Sequence, residues 1–452
     1  MIAMKPYTKE FGRNFRLALP IILGQLGHVF VGLVDNIMVG VLGAAPLAAI
    51  SLGNAFIFIA MSIGIGFSYG LTPLIAEADG QDNSEKGRAF FQTAVWLCTL
   101  LGILLYAVLY WTQPVLELMN QPREVVVLAK PYLHIVAASL IPLMIFQSFK
   151  QCADGLSRTQ YAMYATIFAN ILNVILNYLL IYGIWIFPRL ELEGAAIGTL
   201  ISRIFMVIFM WFLIQNRPKF KPYLRWDFNS WMRKDRIRTI LQLGFPTSLQ
   251  MFFEVAIFSA TIFLAGMLGT ESQAANQITL NLASMTFMVA AGLGVAATIR
   301  VGNQKGKQDI PNLKRIARSV FLLVLLIEIL FALVFVSSRS LLPRFYIQDS
   351  VIQGIAAQLL LIAAWFQVSD GLQVTILGAL RGLQDVRIPT WICFFAYWVI
   401  GFPVCYLLGI YLNYGVAGIW WGLLIALSVS AGLLYLRFTY LSNRLLSAKN
   451  KE

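Results

Sequence analysis

The amino-acid sequence predicts an all-α polytopic membrane protein in which twelve transmembrane helices form two pseudo-symmetric six-helix bundles around a central cavity. Three observations lead to this fold class. Of the 452 residues, 59% are hydrophobic and only 12% are charged, about half the charged fraction of a soluble domain. Apolar runs long enough to cross a bilayer as helices recur along the whole chain. The two halves of the chain also repeat one another.

The apolar runs are distributed evenly over the two halves. They are centred near residues 27, 61, 99, 139, 171 and 202, and near 251, 286, 327, 364, 399 and 425. The first run is too long for a cleavable signal peptide, and no small-residue cleavage site follows it, so we expect it to remain as a helix. The longest polar segment separates the halves. It predicts an N-lobe over 1–215, a basic cytoplasmic linker over 216–237 and a C-lobe over 238–452.

The repeat is visible in residues that shape helices. With a shift of 226 residues, the segment from 17 to 80 aligns with the second half without a gap. The matching pairs are Pro20 and Pro246, Gly40 and Gly266, Gly66 and Gly292, and Gly80 and Gly306. Each half contains six helices and begins on the same side of the membrane, so the repeats are parallel. Transporters of this architecture bind substrates and ions near the membrane midplane.

The basic residues indicate topology. The net charge is +13, and 28 of the 34 Lys and Arg residues lie at the termini and in the segments after even-numbered helices. By the positive-inside rule we expect both termini in the cytoplasm. Anionic membrane lipids are the expected partners of these basic segments, and the distribution argues against a nucleic-acid partner.

The sequence lacks the clusters of residues that an enzyme active site needs. The four cysteines lie in or at the ends of apolar runs without a CxxC or Cys/His spacing, which predicts packing residues and no disulfide or zinc site. The only histidines are His28 and His134, and no cluster of nucleophile, base or metal ligands occurs. We therefore expect no cofactor and no enzyme.

A carboxylate stands in the middle of the first apolar run. The stretch GLVDNIMVG places Asp35 in predicted helix 1, where a charged group costs roughly 2.5–3.5 kcal/mol on insertion scales. Such a residue needs a partner or a function. Gln25 and His28 lie within about 80° of Asp35 around the helix, so they are candidates for the same polar face.

Amides and hydroxyls on predicted helices 5 and 6 are candidate partners of Asp35. Asn170, Asn173 and Asn177 follow one another at i, i+3 and i+7, so they share one helix face. Helix 6 contributes Thr199, with Arg203 one turn later. Arg203 is either a salt-bridge partner or reaches toward the membrane interface.

The second half carries different polar residues on the same scaffold. They are Gln250 and Glu254 on helix 7, Gln277 and Asn281 on helix 8, and Asp370 on helix 10. The acids do not follow the repeat, since Asp35 aligns with Thr261 and Glu254 with His28. The two halves are therefore expected to perform different chemistry.

These polar residues also have a purely structural interpretation. Single polar side chains in membrane helices often make interhelical hydrogen bonds, worth about 0.6 kcal/mol on average, and His28 alone is consistent with packing. Three mid-span acids are harder to explain in this way, so Asp35, Glu254 and Asp370 are predicted to be functional. Glu328 in helix 9 has no polar sequence neighbours and is assigned no role.

Several motifs carry a family resemblance over essentially the whole chain. They are LPIILGQLG and VDNIMVG in helix 1, LNVILNYLLIYG with LEGAAIGT in helices 5 and 6, GFPTSLQMFFEVAIFS in helix 7, and ALRGLQDVRIP after helix 10. Each motif is weakly specific, but their order together with the three acids is specific. In these segments the chain resembles the multidrug and toxic compound extrusion (MATE) transporters, especially the NorM-like branch.

The resemblance implies a V-shaped central cavity and export of cationic, amphipathic compounds driven by inward Na⁺ or H⁺. It implies an N-lobe cation site formed by Asp35, Asn173, Asn177 and Thr199. It also implies that Glu254 and Asp370 are the coupling acids of the C-lobe. Many relatives have an aspartate at the position of Asn177, which here removes one negative charge. Phe366 and Tyr397 are candidates for an aromatic contact with the cargo.

A mechanism follows from the chemistry of a buried carboxylate. Removed from water, it is stabilised by a proton or a bound cation, so an organic cation competes with the coupling ion. We expect Na⁺ at Glu254 and Asp370 or at Asp35, with Gln25, His28, Gln250, Gln277 and Asn281 as further polar cavity residues. We also expect a monomer in a bacterial inner membrane. The alternative is a flippase for lipid-linked oligosaccharides, whose anionic cargo would favour basic cavity residues.

Overall fold

A computed structural model describes residues 5–112, 114–118, 122–226 and 233–449. Throughout these ranges the chain is helical, with turns and no β-strand. Twelve helical segments are long and apolar enough to span a membrane, which confirms the predicted number. They are α1 (Tyr7–Gly40), α2 (Ala44–Gly80), α3 (Ser84–Trp111), α4 (Arg123–Gly155), α5 (Gln160–Tyr182), α6 (Glu191–Ile214), α7 (Lys234–Met267), α8 (Thr270–Gly306), α9 (Ile310–Ser338), α10 (Ser350–Gly382), α11 (Arg387–Tyr411) and α12 (Gly415–Ala448).

Three of the spans are interrupted, each near a proline. Span α2 consists of Ala44–Ser68 and Leu71–Gly80, and α4 of Arg123–Ala138 and Leu140–Gly155. Pro73 and Pro142 follow these breaks because proline has no N–H for the hydrogen bond to the carbonyl four residues earlier. In α11, wide π turns over Phe395–Gly401 end just before Pro403. Short helices at Val115–Leu118 and Leu342–Phe345 lie outside the spans.

The chain forms two compact units. The N-unit comprises Leu23–Ser248, and the C-unit combines the start of the chain up to Ile22 with the residues from Leu249 onward. Helix α1 thus begins in the C-unit and continues in the N-unit, whereas α7 begins in the N-unit and continues in the C-unit. These units are defined by contacts rather than whole helices, so the predicted lobe boundaries stay a prediction.

The predicted linker is partly helical and partly packed. Helix α7 begins at Lys234, inside the predicted range 216–237. Phe220 and Tyr223 are buried in the N-unit, and Lys219 pairs with Asp79 at 2.9 Å. Residues 227–232 of the linker lie outside the described residues.

The backbone repeats at the shift found in the sequence. Left-handed φ angles occur at Asp82 and Gln308, which are 226 residues apart, and at Ser157 and Gln384, which are 227 apart. The next residues in the first pair, Asn83 and Asp309, both cap a helix with their side-chain oxygen. Turns and caps, which apolar composition does not impose, therefore recur in both halves.

Glycines permit the closest helix contacts around the polar residues. In the N-unit, a Cβ at Gly194 would lie 2.7 Å from the Leu180 carbonyl, so α6 packs against the end of α5. In the C-unit, a Cβ at Gly294 would lie 2.9 Å from the Val374 carbonyl, so α8 approaches α10 equally closely. Close backbone contact of this kind is typical of membrane helices with small residues at their interface.

Candidate functional sites in the two units

A hydrogen-bonded chain joins α1, α5 and α6 in the N-unit. The Nδ2 group of Asn177 donates to Asp35 Oδ1 at 2.7 Å and lies 3.3 Å from Asn173 Oδ1. The Nδ2 group of Asn173 lies 3.5 Å from Thr199 Oγ1, which itself donates to the Ala195 carbonyl at 3.0 Å. The structure therefore brings together the four residues predicted to form the N-lobe site, whose binding role stays a prediction.

The central side chains of this hydrogen-bonded series are buried, and one of them has an unused hydrogen-bond acceptor. Asn177 and Asn173 are 0% and 4% exposed, whereas Asp35 is half-buried. The Oδ1 atom of Asn177 has no hydrogen-bond partner within the described ranges. A Cβ at Gly198 would collide with this oxygen, so the glycine leaves the space that the amide occupies.

Arg203 belongs to the same unit as this carboxylate. Its Nη1 group donates to Ser139 Oγ at 2.7 Å, at the break in α4, and its Nη2 group approaches Met61 Sδ at 3.6 Å. Arg203 also interacts electrostatically with Asp35. The sequence left two interpretations open, and the structure places this guanidinium within the unit, where it offsets the charge of Asp35.

The remaining N-unit candidates lie outside the hydrogen-bonded series around Asp35. Gln25 is half-buried and His28 is exposed on α1, and in the described part of the chain Asp35 bonds to Asn177 rather than to either of them. Asn170, the first residue of the asparagine stripe, lies 3.1 Å from the Cβ position of Gly27. The stripe therefore contacts α1 at two levels.

The C-unit contains a second group of acids. Asp370 on α10 is 4% exposed, and Glu254 on α7 is half-buried. Asp370 interacts electrostatically with Glu254 and also with Glu328 on α9. The two predicted C-lobe acids thus interact electrostatically, and Glu328, to which the sequence assigned no role, interacts with one of them.

An arginine of α10 belongs to the same unit as these acids. Arg381 Nη2 donates to Gln250 Oε1 at 2.8 Å, and Gln250 Nε2 donates toward Cys393 Sγ at 3.4 Å. Arg381 also interacts electrostatically with Glu254. The carbonyl oxygen of Gln250 is therefore engaged by a cation of the protein, and it is a weaker candidate ligand for an added ion.

Other C-unit candidates lie elsewhere or are packed. Gln277 and Asn281 are exposed on α8 and contact each other at 3.3 Å. Phe366 and Tyr397 are both buried, and the Phe366 ring packs edge-on against Trp420 with centroids 5.1 Å apart. In this conformation the two aromatic candidates are part of the core.

A closed cage of strong ligands is not found in either unit. Among the described residues no group of three or more His, Cys, Asp or Glu side chains is arranged to hold a metal ion.

Comparisons with known proteins identify the family of the chain. The MatE family model matches residues 20–179 and 246–407, two ranges that begin 226 residues apart. A probable multidrug resistance protein NorM of Agrobacterium fabrum is 32% identical over 445 residues, with 97% of this chain and 95% of that protein covered. A Pasteurella multocida protein with the same name is 33% identical, with 96% and 95% covered.

Solved structures share the fold at lower identity. The Vibrio cholerae MATE transporter VcmN in its bent form superposes with a TM-score of 0.87 at 19% identity, covering 98% of this chain and 99% of that one. The eukaryotic MATE transporter AtDTX14 gives 0.87 at 17% identity, covering 97% and 99%. Both likenesses concern the fold alone.

Twelve apolar spans in two repeated halves, with buried carboxylates in both, define a membrane transporter. The chain belongs to the MatE family. Membership makes it a transporter rather than an enzyme, and an integral membrane protein.

The close contact at Gly198 gives a test of the N-unit chain. Gly198→Ala is expected to displace the Asn177 amide and to weaken transport as strongly as Asn177→Ala, by about tenfold, because a hydrogen bond to a charged group contributes about 1.5–3 kcal/mol. Gly24→Ala on α1, where a Cβ would meet nothing within 4 Å, is the matched control. Drug efflux from vesicles measures the effect. Normal efflux by both Gly198→Ala and Asn177→Ala would leave the asparagines as packing residues only.

Proposed function

We propose that this protein exports cationic, amphipathic compounds in exchange for Na⁺, with protons competing for the same carboxylates. The observation that carries the proposal is the set of membrane-embedded acids, because unpaired acids in a membrane span are retained for ion or substrate binding. Relatives that are named multidrug resistance proteins support the efflux direction and the varied cargo.

The charge of the two units favours the C-unit as the coupling site. In the N-unit, Asp35 is accompanied by Arg203. In the C-unit, three carboxyl groups, Glu254, Glu328 and Asp370, are accompanied by Arg381. Excess negative charge away from water must be matched by bound positive charge. Carboxylate oxygens are hard ligands, and they suit a hard cation such as Na⁺ in the way that they suit divalent hard ions.

The sign of these charges also supports a cationic cargo. A flippase for lipid-linked oligosaccharides would have to hold a pyrophosphate, for which lysines and arginines are the suitable ligands. The exposed Phe, Trp and Met side chains of the chain are compatible with organic cations held by contact and cation–π attraction. The acids would then select charge, while aromatic and apolar surfaces would accept varied shapes.

The energy source is sufficient for export. One net charge moving inward across about 100 mV releases about 2.3 kcal/mol, which corresponds to a roughly 50-fold concentration gradient, since 1.4 kcal/mol is a factor of ten. Exchange of one Na⁺ for one monovalent cargo moves no net charge and draws on the Na⁺ concentration gradient alone, so the potential contributes only when more ion charge enters than cargo charge leaves. A chemical gradient of the ion adds to this. The proposal places the protein, as a monomer, in a bacterial inner membrane with both termini in the cytoplasm, where anionic lipids neutralise the basic segments.

A gradient experiment tests the coupling ion. Purified protein is reconstituted into vesicles, and efflux of a fluorescent organic cation is followed under a Na⁺ gradient alone, at equal pH and clamped potential. The proposal requires efflux that follows the Na⁺ gradient and slows when Na⁺ is replaced by choline on both sides. Efflux that ignores Na⁺ and follows a pH step would replace the assignment by a proton antiporter. No efflux under either gradient would remove the antiport proposal.

A further inference from the structure

Glu328 is buried without a hydrogen-bond partner. It lies on α9, the most apolar of the twelve spans, and is 1% exposed. Neither Oε1 nor Oε2 has a hydrogen-bond partner among the residues that the structure describes. An interhelical hydrogen bond, the usual structural reason for a polar residue in a membrane helix, is therefore not formed. An ionised carboxyl group in this state is costly unless positive charge accompanies it.

The Glu328 side chain is held against α10 beside Asp370. An ideal Cβ on Gly371 would lie 2.7 Å from Glu328 Cγ and 3.2 Å from Oε1. Gly371 is the residue after Asp370, so the absence of a side chain there allows the carboxyl group to reach the backbone of α10. Asp370 interacts electrostatically with Glu328, and its Oδ1 atom also has no hydrogen-bond partner within the described ranges.

Among the described residues no hydrogen bond joins a cationic side chain to either oxygen of Glu328 or to Asp370 Oδ1. The Oε1 atom of Gln367, one turn before Asp370, accepts a hydrogen bond from Thr286 at 2.9 Å. Arg381, the basic residue of this region, hydrogen-bonds Gln250 and acts on Glu254. Two carboxylates that share a dry site repel each other unless a positive charge lies between them.

We infer that Glu328 and Asp370 together bind one monovalent cation, so that Glu328 supplies a ligand oxygen to the C-unit. This inference rests on the proposed function, because the cation is the coupling Na⁺ of the exchange. It assigns the cation to the contact between α9 and α10. The site would otherwise depend on Glu254 and Asp370 alone.

Direct Na⁺ binding tests the inference without transport. Purified full-length protein in nanodiscs is titrated with radioactive Na⁺ in a choline buffer, and the same samples are melted with and without Na⁺. Glu328→Gln preserves shape but removes the charge, and it is expected to weaken Na⁺ binding about tenfold or more and to remove most of the Na⁺-dependent rise in melting temperature. Glu271→Gln, at an exposed acid in the first turn of α8, is the control and should bind as wild type does.

Three further variants, one of them a control, address the geometry. Gly371→Ala is expected to push the Glu328 side chain away and to weaken Na⁺ binding while every carboxylate remains, whereas Gly354→Ala on the same helix meets nothing within 4 Å and should have no effect. In the double variant Glu328→Gln/Asp370→Asn, the loss should be clearly smaller than the product of the two single losses, because both residues serve one ion.

The outcomes separate this inference from the proposed function. Wild-type protein that binds Na⁺, together with a Glu328→Gln variant that binds it equally well, would overturn the role of Glu328 and leave Na⁺ coupling in place. Wild-type protein that binds no Na⁺ would overturn both. Losses that multiply in the double variant would also contradict a shared ion.

Discussion

Replacing Glu254 by Gln and Asp370 by Asn in one variant is expected to abolish Na⁺-driven efflux while the protein still inserts into the membrane. Both substitutions preserve side-chain size but remove negative charge from the group that includes Glu328 and Arg381. The group then contains one acid, Glu328, and one arginine, Arg381, so it no longer has excess negative charge to bind a coupling cation. Loss of charge-assisted contacts to a bound ion costs several kcal/mol, or about a hundredfold or more in affinity.

Vesicle efflux under a Na⁺ gradient at clamped potential measures this effect, and membrane yield and melting temperature report on folding. Asp349→Asn is a suitable control, since Asp349 caps the start of α10 by accepting main-chain hydrogen bonds and an asparagine can do the same. Normal Na⁺ dependence in the double variant would assign coupling to the N-unit around Asp35.

Asp35→Asn is expected to reduce drug resistance of cells nearly to the level without the protein. The carboxylate accepts the Asn177 amide at 2.7 Å and balances Arg203 electrostatically. Its neutralisation leaves Arg203 as an uncompensated cation in the N-unit, which disfavours an approaching organic cation and removes the acid that an exchange cycle would use. We expect helix α1 to remain folded, because asparagine is neutral but has nearly the same size and shape as aspartate.

Growth in the presence of an organic cation, normalised to the amount of protein in the membrane, is the measurement. Asp82→Asn is the matched control because Asp82 lies in a turn with φ of 52°, a conformation that asparagine tolerates well. Resistance that survives in a well-expressed Asp35→Asn variant would contradict a coupling or binding role for Asp35.

The number and order of the spans could be predicted because a membrane helix requires a run of about twenty apolar residues. The breaks in α2, α4 and α11 were not predicted, because Pro20, Pro131 and Pro246 lie inside continuous helices and a proline alone does not identify a break. The association of Asp35 with Asn173 and Asn177 could be anticipated because each mid-span polar group needs a partner. The family resemblance named the same residues.

Proximity across helices could not be predicted in the same way. Glu328 lacks polar neighbours along α9, and only the contact at Gly371 shows that it meets the helix of Asp370. Its position in the most apolar span was a usable indication, because an acid is least tolerated there. The contacts of Arg203 could not be predicted either, since helical spacing does not tell which of several helices a long side chain reaches.

Helix α1 begins in the C-unit and helix α7 begins in the N-unit, which has a consequence for synthesis on the ribosome. Glu10 near the start of α1 accepts a hydrogen bond from Arg300 at 2.6 Å, across 290 residues of chain. At roughly 5–20 residues per second, translation takes about 15–60 s to deliver that partner. The N-unit also depends on later residues, since Ser248 in the middle of α7 donates to the Ile63 carbonyl at 2.6 Å. Neither unit can complete these contacts until part of the second half has been made, so the nascent chain passes through a partly folded state.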